Sequence, residues 1–330
     1  MSEPVVSVLM TVFNAGRFFE PSIRSILDQT FRNFEFLIVD DASTDGSAEV
    51  AEAWAARDAR IRLIRNAENK GQTKCLNQGL QLARGHWIAR QDADDLAHPL
   101  RLAIQHEFTA TQPGIVLLGS NGRIIDEHDR LAGLLDAPLS QQSITWTSPF
   151  LNPFMHTSVM FRTDVIRDQF GGYNEDYRIA QDYELWTRVI ATHQGANLPQ
   201  RLVCYRHLAT SLSKSGRSAA FAEAAQVSAR EARRIFGRDL SERETGLIAA
   251  FREGLDPGNR RAFWQLYGEL LSNRDTRAGD LPRTMAMHHL KAAGALSSKA
   301  LPPAIAEILM ALRTDFRATL GWLATRYVNA

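Results

Sequence analysis

Over its first 120 residues the chain repeats one pattern: an apolar run of strand length, a polar punctuation, then a helical stretch. The runs at 5–12, 34–39, 61–64, 87–90 and 115–118 are close to continuously apolar rather than alternating. Strands buried on both faces read that way, and such strands belong to parallel sheets covered by helices. Helical patterns fall between them at 21–29, opened by Pro21, then around Val50, Ala51 and Trp54, at 73–83, and from Pro99 to about 111. The expected fold is therefore α/β, with a mostly parallel central sheet flanked by helices. Beyond 118 the pattern loosens into a less regular stretch to about 160, with a strand at 158–161, before a helix at 182–191 on the stripe Leu185, Trp186 and Val189. From 217 onward the chain is Ala- and Arg-rich and helical, with breaks at 254–258 and 301–303. A catalytic domain over 1–216 and a helical region over 217–330 are expected.

With 330 residues and 45% hydrophobic content, the chain can bury a sizeable core. A net charge of +1 argues against wholesale nucleic-acid binding, although residues 208–330 hold 18 Lys/Arg against 12 Asp/Glu. Cys75 and Cys204 are isolated and no His falls at zinc-finger spacing, so neither a disulfide framework nor a structural zinc is indicated and a reducing cytoplasm is expected. Met1-Ser2-Glu3-Pro4 does not open a secretory signal, and no apolar run approaches the roughly 20 residues that cross a bilayer. Near the end, Leu309, Leu312, Phe316, Leu320, Leu323 and Tyr327 recur at helical spacing beside Arg313, Arg317 and Arg326. Such a stripe ordinarily packs on its own domain or a partner subunit, and contact with the inner face of a membrane is the second reading. His288-His289 reads as a surface pair.

Polar groups collect at three predicted strand ends: Thr11-Val12-Phe13-Asn14, Asp40-Asp41 and Asp92-Ala93-Asp94-Asp95. A parallel sheet brings its C-terminal strand ends to one edge, where ligands bind near a reversal of strand order. Asp92, Asp94 and Asp95 crowded together repel unless a cation intervenes, and a divalent metal is the usual solution. Taken alone the cluster is a solvated acidic turn, and Asp40-Asp41 alone could be helix-capping acid; together the three groups exceed what capping explains. Ser43, Thr44 and Asp45 supply capping chemistry for the helix that follows. A dinucleotide site is excluded, because Phe13-Asn14-Ala15-Gly16-Arg17 offers one glycine where three are needed.

The chain strongly resembles the bacterial glycosyltransferase family 2, of the GT-A nucleotide-sugar-binding fold. The resemblance rests on residues 5–14, Ser25-Ile26-Leu27-Asp28-Gln29-Thr30-Phe31, residues 37–47 (LIVDDASTDGS), Asn69-Lys70-Gly71, Asn77, Ala83-Arg84-Gly85, Asp92-Ala93-Asp94-Asp95 and Gln181-Asp182-Tyr183-Glu184-Leu185-Trp186. It covers roughly residues 4–213.

The resemblance implies a metal-dependent inverting transferase that moves a sugar from a nucleoside-diphosphate sugar, UDP-linked by preference, to a saccharide or glycolipid acceptor in surface-polysaccharide assembly. Thr11, Asn14, Asp40 and Asp41 would hold the base and ribose, with Lys70, Gly71 and Asn77 lining the same pocket. Asp94 would bind Mg²⁺ or Mn²⁺ directly, Asp92 would assist from the ribose or metal-bound water, and Asp95 would cap or support. Asp182 is the expected catalytic base, with an N-cap role compatible and Glu184 the fallback. His156 resembles an acceptor-side position, although a lone His before a strand is more often structural. Arg206 would meet the diphosphate. Relatives carry Arg-X-His before Ser-X-Ser, whereas Arg206-His207 here puts Leu208 where that His falls before Ser211-Leu212-Ser213, which leaves His207 without an assigned role. Two alternatives stand beside this reading: a nucleotidyltransferase that makes nucleotide sugars, and a catalytically inactive nucleotide-sugar-binding subunit.

Overall fold

The computed structural model describes residues 3–208, 217–253 and 257–271, with Met285 and His288. Contacts divide the chain into two units, Met1–Leu135 with Phe154–Ala220 and Asp136–Pro153 with Phe221–Ala330.

In the first unit, β1 (Val6–Val12), α1 (Phe19–Leu27), β2 (Phe34–Asp40), α2 (Ser47–Ala55), β3 (Ile61–Arg65), α3 (Gln72–Leu82) and β4 (Trp87–Asp92) follow the repeat legible in the sequence. A short β5 (Leu96–Ala97), α4 (Arg101–Thr111), β6 (Ile115–Ile125) and β7 (Leu131–Leu135) come next. After α5 (Gln141–Thr147), which belongs to the second unit, β8 (Met160–Arg162), α6 (Gln181–Ile190) and β9 (Gln194–Arg206) complete the sheet. Among the described residues it has nine strands in the order β3-β2-β1-β4-β8-β6-β9-β5, with β7 added onto β6. β1 is parallel to both β2 and β4, whereas β8 runs antiparallel between β4 and β6.

The chain steps outward from β1 to β3 and then returns to lay β4 on the other side of β1. That reversal opens the crevice beyond the C-terminal ends of β1 and β4, where Thr11 and Asp92 are register partners. Both faces of β1 and β2 are buried, as their unbroken apolar runs require. Met10, Phe36, Ile38 and Ala89 join Ile23 and Ile26 of α1 in one core. On the other face α3 lies so close to β1 that a Cβ on Gly79 would stand 2.1 Å from Leu9 Cδ1.

The stretch expected to be irregular is partly ordered sheet. β6 continues through Gly119-Ser120-Asn121-Gly122 to Ile125 because β9 pairs with it over most of its length. Glycine and polar residues disfavour a strand locally, and here pairing with a distant strand decides the outcome. Gly119 is required by closeness, since a Cβ there would lie 2.0 Å from Asn197 Oδ1. α1 begins at Phe19, two residues ahead of Pro21, which sits in the first turn where a missing N–H costs nothing.

In the second unit, α5 joins α7 (Arg217–Phe236), α8 (Glu242–Glu253) and α9 (Pro257–Leu271), with Arg217–Ala220 of α7 counted in the first unit. The core is aromatic: Trp146, Phe150, Phe251, Phe263 and Tyr267 are buried together, and Phe251 stacks on Phe263 with centroids 4.6 Å apart. His288 is not a surface residue. It is buried, with its Nδ1 2.9 Å from the Tyr267 hydroxyl, because the aromatic core closes over it. The amphipathic stripe at 303–328, Ser211-Leu212-Ser213 and His289 lie outside the described residues. Among those described, no helix is long and apolar enough to cross a membrane.

Candidate active site

A buried arginine organises the crevice. Arg90 sits in β4 with its side chain fully out of solvent. Nη1 donates to the Leu9 carbonyl at 3.3 Å, and Nη2 donates to Thr11 Oγ1 at 3.2 Å and to Asp92 Oδ1 at 2.7 Å. Thr11 thus faces Arg90 as an acceptor. Beneath it lies a second buried arginine, Arg101, whose Nη2 donates to the Arg90 carbonyl at 2.7 Å and whose Nη1 donates to Gln91 Oε1 at 2.9 Å. Burial, and then the charge of Arg90, push Arg101 down to about 9. Gln91 in turn donates Nε2 to the carbonyls of Asp92 and Asp95, so the acidic turn is held from below by a polar network.

The three carboxylates of that turn have separate surroundings. Asp92, the last residue of β4, has Oδ1 on Arg90, and its N–H donates to Thr157 Oγ1 at 3.2 Å. Asp95 is fully buried and its Oδ1 accepts the Arg206 N–H at 2.7 Å, tying the turn to β9; burial and the charges of Asp92 and Asp94 raise it well above the carboxylate range. Asp94 is part-exposed, and burial, followed by the Asp92 charge, pushes it up to about 6. Among the described residues no three His, Cys, Asp or Glu side chains converge as a ready metal cage. The set nonetheless fits a divalent ion: a carboxyl made costly to ionise by its neighbour is relieved by a cation, and Mg²⁺ or Mn²⁺ needs only one or two carboxylates when substrate oxygens complete its shell.

Arg206, expected at the diphosphate, turns inward instead. Its Nε donates to the Asp94 carbonyl at 2.9 Å, its Nη1 donates to the Asp126 carbonyl at 2.9 Å, its Nη2 lies 2.6 Å from Asp129 Oδ1, and the group rests over the Phe18 ring. A guanidinium so enclosed fixes the Asp94 backbone.

At the end of β2, Asp40 is fully buried with Oδ2 lacking a hydrogen-bond partner, while Oδ1 accepts the Ser43 N–H at 3.3 Å. Asp41 accepts from Asn66 Nδ2, the Lys70 N–H and the Gly71 N–H at 3.0, 2.9 and 2.8 Å. Burial works to raise Asp41, but these bonds outweigh it and hold the carboxyl below its ordinary value. Asp41 therefore shapes the Asn69-Lys70-Gly71 loop, from which the exposed Lys70 projects. Asn14, with φ of 54°, accepts the Thr44 N–H on Oδ1 at 2.8 Å and donates its own N–H to Ser43 Oγ at 3.0 Å. Ser43 and Thr44 accordingly serve the β1 end; the N-cap of α2 is Gly46, which has no side-chain cap, and Asp45 Oδ1 just before it accepts the Ser47 N–H at 3.0 Å. Phe13 is 52% exposed at the same mouth.

Asp182 lies in the first turn of α6, with Oδ1 accepting the Tyr183 N–H at 2.7 Å. Its charge reaches Tyr205, which burial and then Asp95, Asp92, Asp94 and Asp182 together push up to about 12, so one phenol feels both acidic groups. Glu184 points away from that region: it is buried, with both carboxylate oxygens 2.9 Å from Arg188 Nε. His156 Nε2 lies 3.3 Å from the Tyr173 hydroxyl; burial, then the Arg90 charge, lower it to about 3, leaving a neutral ring. His207 is exposed, its N–H on the Ile125 carbonyl. Asn77, expected in the nucleotide pocket, commits its amide to Tyr173 and Glu175.

The family model "Glycosyl transferase family 2" matches residues 7–169. The O-antigen biosynthesis glycosyltransferase WbnJ of Escherichia coli is 32% identical over 236 residues, 69% of this chain and 88% of that protein. The chain belongs to glycosyltransferase family 2. The putative glycosyltransferase EpsE of Bacillus subtilis is 35% identical over 205 residues, 61% of this chain and 72% of its own length. An uncharacterized glycosyltransferase of Haemophilus influenzae is 33% identical over 211 residues, 62% of this chain and 65% of the relative. Among solved structures, S. aureus TarS 1-349 in complex with UDP-GlcNAc superposes with a TM-score of 0.59 at 17% identity, covering 98% of this chain and 92% of that one. The mannosyltransferase PcManGT from Pyrobaculum calidifontis, in complex with GDP-Man and Mn²⁺, does so at 0.56 and 20%, covering 100% and 88%. The architecture of this family 2 glycosyltransferase is thus of the GT-A type. In the sequence Arg90 carries one signal of this role, an arginine inside the apolar run 87–90, where a charge is kept only when paired; Arg101 carries none.

Proposed function

We propose that the protein transfers a sugar from a nucleoside-diphosphate sugar to an acceptor hydroxyl, with inversion at the anomeric carbon, during assembly of a bacterial surface polysaccharide or glycolipid. One observation carries the reading: the part-exposed Asp94 stands beside Asp92 at the switch-point crevice, where Arg90 engages only Oδ1 of Asp92. The O-antigen relative supports the context, and the fold neighbours solved with UDP-GlcNAc and with GDP-Man and Mn²⁺ support the donor class.

Thr11, Asn14, Asp40, Asp41, Lys70 and Gly71 frame the nucleotide, the exposed Phe13 ring offering a face for stacking and Asp40 Oδ2, which accepts no hydrogen bond and has Arg65 Nε 3.9 Å away, an acceptor for a base N–H or sugar hydroxyl. Asp94, assisted by Asp92, would hold a divalent metal, which when bound would supply Lewis-acid neutralisation of the charge developing on the leaving diphosphate. Asp182 takes the proton from the acceptor hydroxyl as its oxygen attacks the anomeric carbon. The bond from that carbon to the diphosphate breaks on the opposite face, its electron pair leaving with the nucleoside diphosphate.

Thermal-shift titration with UDP, GDP and their sugars, with and without Mn²⁺ or Mg²⁺, tests the reading, because a ligand of the native state raises the melting temperature by mass action. A metal-dependent rise with one nucleoside diphosphate is expected; no rise with any of them would sink the reading.

A further inference from the structure

α3 touches both sides of the proposed reaction. It grows out of the donor-side loop, with Gly71 at φ 90° as its N-cap and the Gly71 N–H on the Asp41 carboxylate at 2.8 Å. In its first turn the Thr73 hydroxyl donates to the Tyr177 carbonyl at 2.8 Å, and Gln72 Oε1 accepts Gln181 Nε2 at 3.3 Å. One turn on, Asn77 shares a face with Thr73, four residues being close to one helical turn. Asn77 Oδ1 accepts the Tyr173 N–H at 2.9 Å, and Nδ2 donates to the Tyr173 carbonyl at 2.9 Å and to Glu175 Oε1 at 3.1 Å.

One amide thus satisfies both backbone groups of Tyr173, as a neighbouring strand would, and both Nδ2 hydrogens are engaged. The fit is close: Gly172 has φ of 85°, and a Cβ there would stand 2.6 Å from Asn77 Oδ1 and 3.0 Å from Leu80 Cδ2. The segment 173–181 fastened this way runs directly into α6, whose second residue is Asp182.

We propose that Asn77 is a positioning residue for Asp182, on the acceptor side of the reaction, and that α3 holds the donor loop and the base-bearing segment in one frame. The inference rests on the glycosyl-transfer reading and goes beyond it by removing Asn77 from the nucleotide pocket. A reacting group displaced by 1 Å can lose about 100-fold in rate, so loosening this clamp acts on turnover and not on donor affinity.

The test compares full-length wild type with Asn77→Ala and Asn77→Asp, the latter keeping the acceptor for the Tyr173 N–H and losing both donors. Three quantities are read: the Kd for UDP or GDP with Mn²⁺ by calorimetry, the single-turnover release of that nucleotide from UDP-GlcNAc or GDP-mannose, and amide exchange over 173–181 and 69–71. Expected are a Kd within twofold of wild type, turnover about 10- to 100-fold lower in Asn77→Ala and lowered at least as far in Asn77→Asp, whose new carboxylate oxygen faces the Tyr173 carbonyl and the Glu175 carboxylate, and faster exchange confined to 173–181. Should Asn77→Ala not fold, Asn77→Asp decides by the same three readings. A Kd weakened in step with turnover, unchanged turnover, or unchanged exchange at 173–181 would overturn the proposal alone. A wild type that neither binds nor releases a nucleoside diphosphate overturns the transfer reading and the proposal with it.

Discussion

Arg90 Nη2 lies 2.7 Å from Asp92 Oδ1, joining a guanidinium with no solvent exposure to a carboxylate that opens on the crevice. The same nitrogen holds Thr11 Oγ1 on the neighbouring strand, so one cation ties the ends of β1 and β4 together and offsets part of the acidic charge beside it. Removing one member of such a pair leaves buried acceptors without a donor. Arg90→Met is expected to destabilise the protein by about 3 kcal/mol in urea unfolding, and Arg90→Lys, which keeps the charge without the fork, by less. A change below 1 kcal/mol for Arg90→Met, within the ordinary range of a neutral surface substitution, would refute the pairing's importance.

Asp182 and Glu184 separate cleanly by substitution. Asp182→Asn is expected to lower turnover by roughly 10²- to 10⁴-fold with little change in melting temperature, since the proposed general base is lost and packing is kept. Glu184→Gln strips Arg188 of its carboxylate partner and is expected to lower the melting temperature first. Parallel melting curves and donor-hydrolysis assays check both, and the reverse pattern would exchange the two roles.

The two carboxylates proposed to hold the metal should not be equivalent. Asp94→Asn removes the part-exposed carboxyl of the turn, whereas Asp95 is buried on the Arg206 N–H, and the extra thermal shift given by Mn²⁺ with nucleotide is expected to vanish. Asp92→Asn, with Arg90 already on Oδ1, should reduce that shift without abolishing it. Equal loss in both variants would mean that both oxygens bind the metal alike.

Asp41 supplies a pH signature of opposite origin. Burial raises its carboxyl but bonds from Lys70, Asn66 and Gly71 outweigh it, so its folded value lies below the unfolded value of about 3.9. A group depressed on folding contributes stability above its unfolded value and loses it as pH falls through the folded one. The stability gap between wild type and Asp41→Asn should therefore be widest at pH 6 and shrink on acidification to pH 3, as followed by urea unfolding. A gap independent of pH would mean that the carboxylate charge is not what the loop requires.

Gly85 gives a test of the sheet itself. Its N–H donates to Ser7 Oγ at 2.8 Å, and a Cβ there would stand 2.4 Å from the Ser7 backbone nitrogen, which no side-chain rotation relieves. Gly85→Ala is expected to cost at least about 2 kcal/mol by urea unfolding, and a neutral result would mean that the β1–β4 entry has slack.

By itself the sequence determined the α/β class, the positions of β1 to β4, the helices between them, and the carboxylates that gather at one sheet edge. Those features follow from local periodicity and from the rule that parallel strand ends share an edge, both readable without knowing which residues meet. Tertiary structure alone decided what each polar side chain faces. Asn77 meets Tyr173 across 96 residues and Arg206 meets the Asp94 carbonyl across 112, so neither partner leaves a mark in the local pattern. The first half of β9 leaves no local mark for the same reason: Gly, Pro and polar residues fill it, and only pairing with β6 makes it a strand. A hydrogen bond is directional and short, so the choice of partner is fixed by where the backbone brings two groups together, whereas an apolar run needs only to be buried.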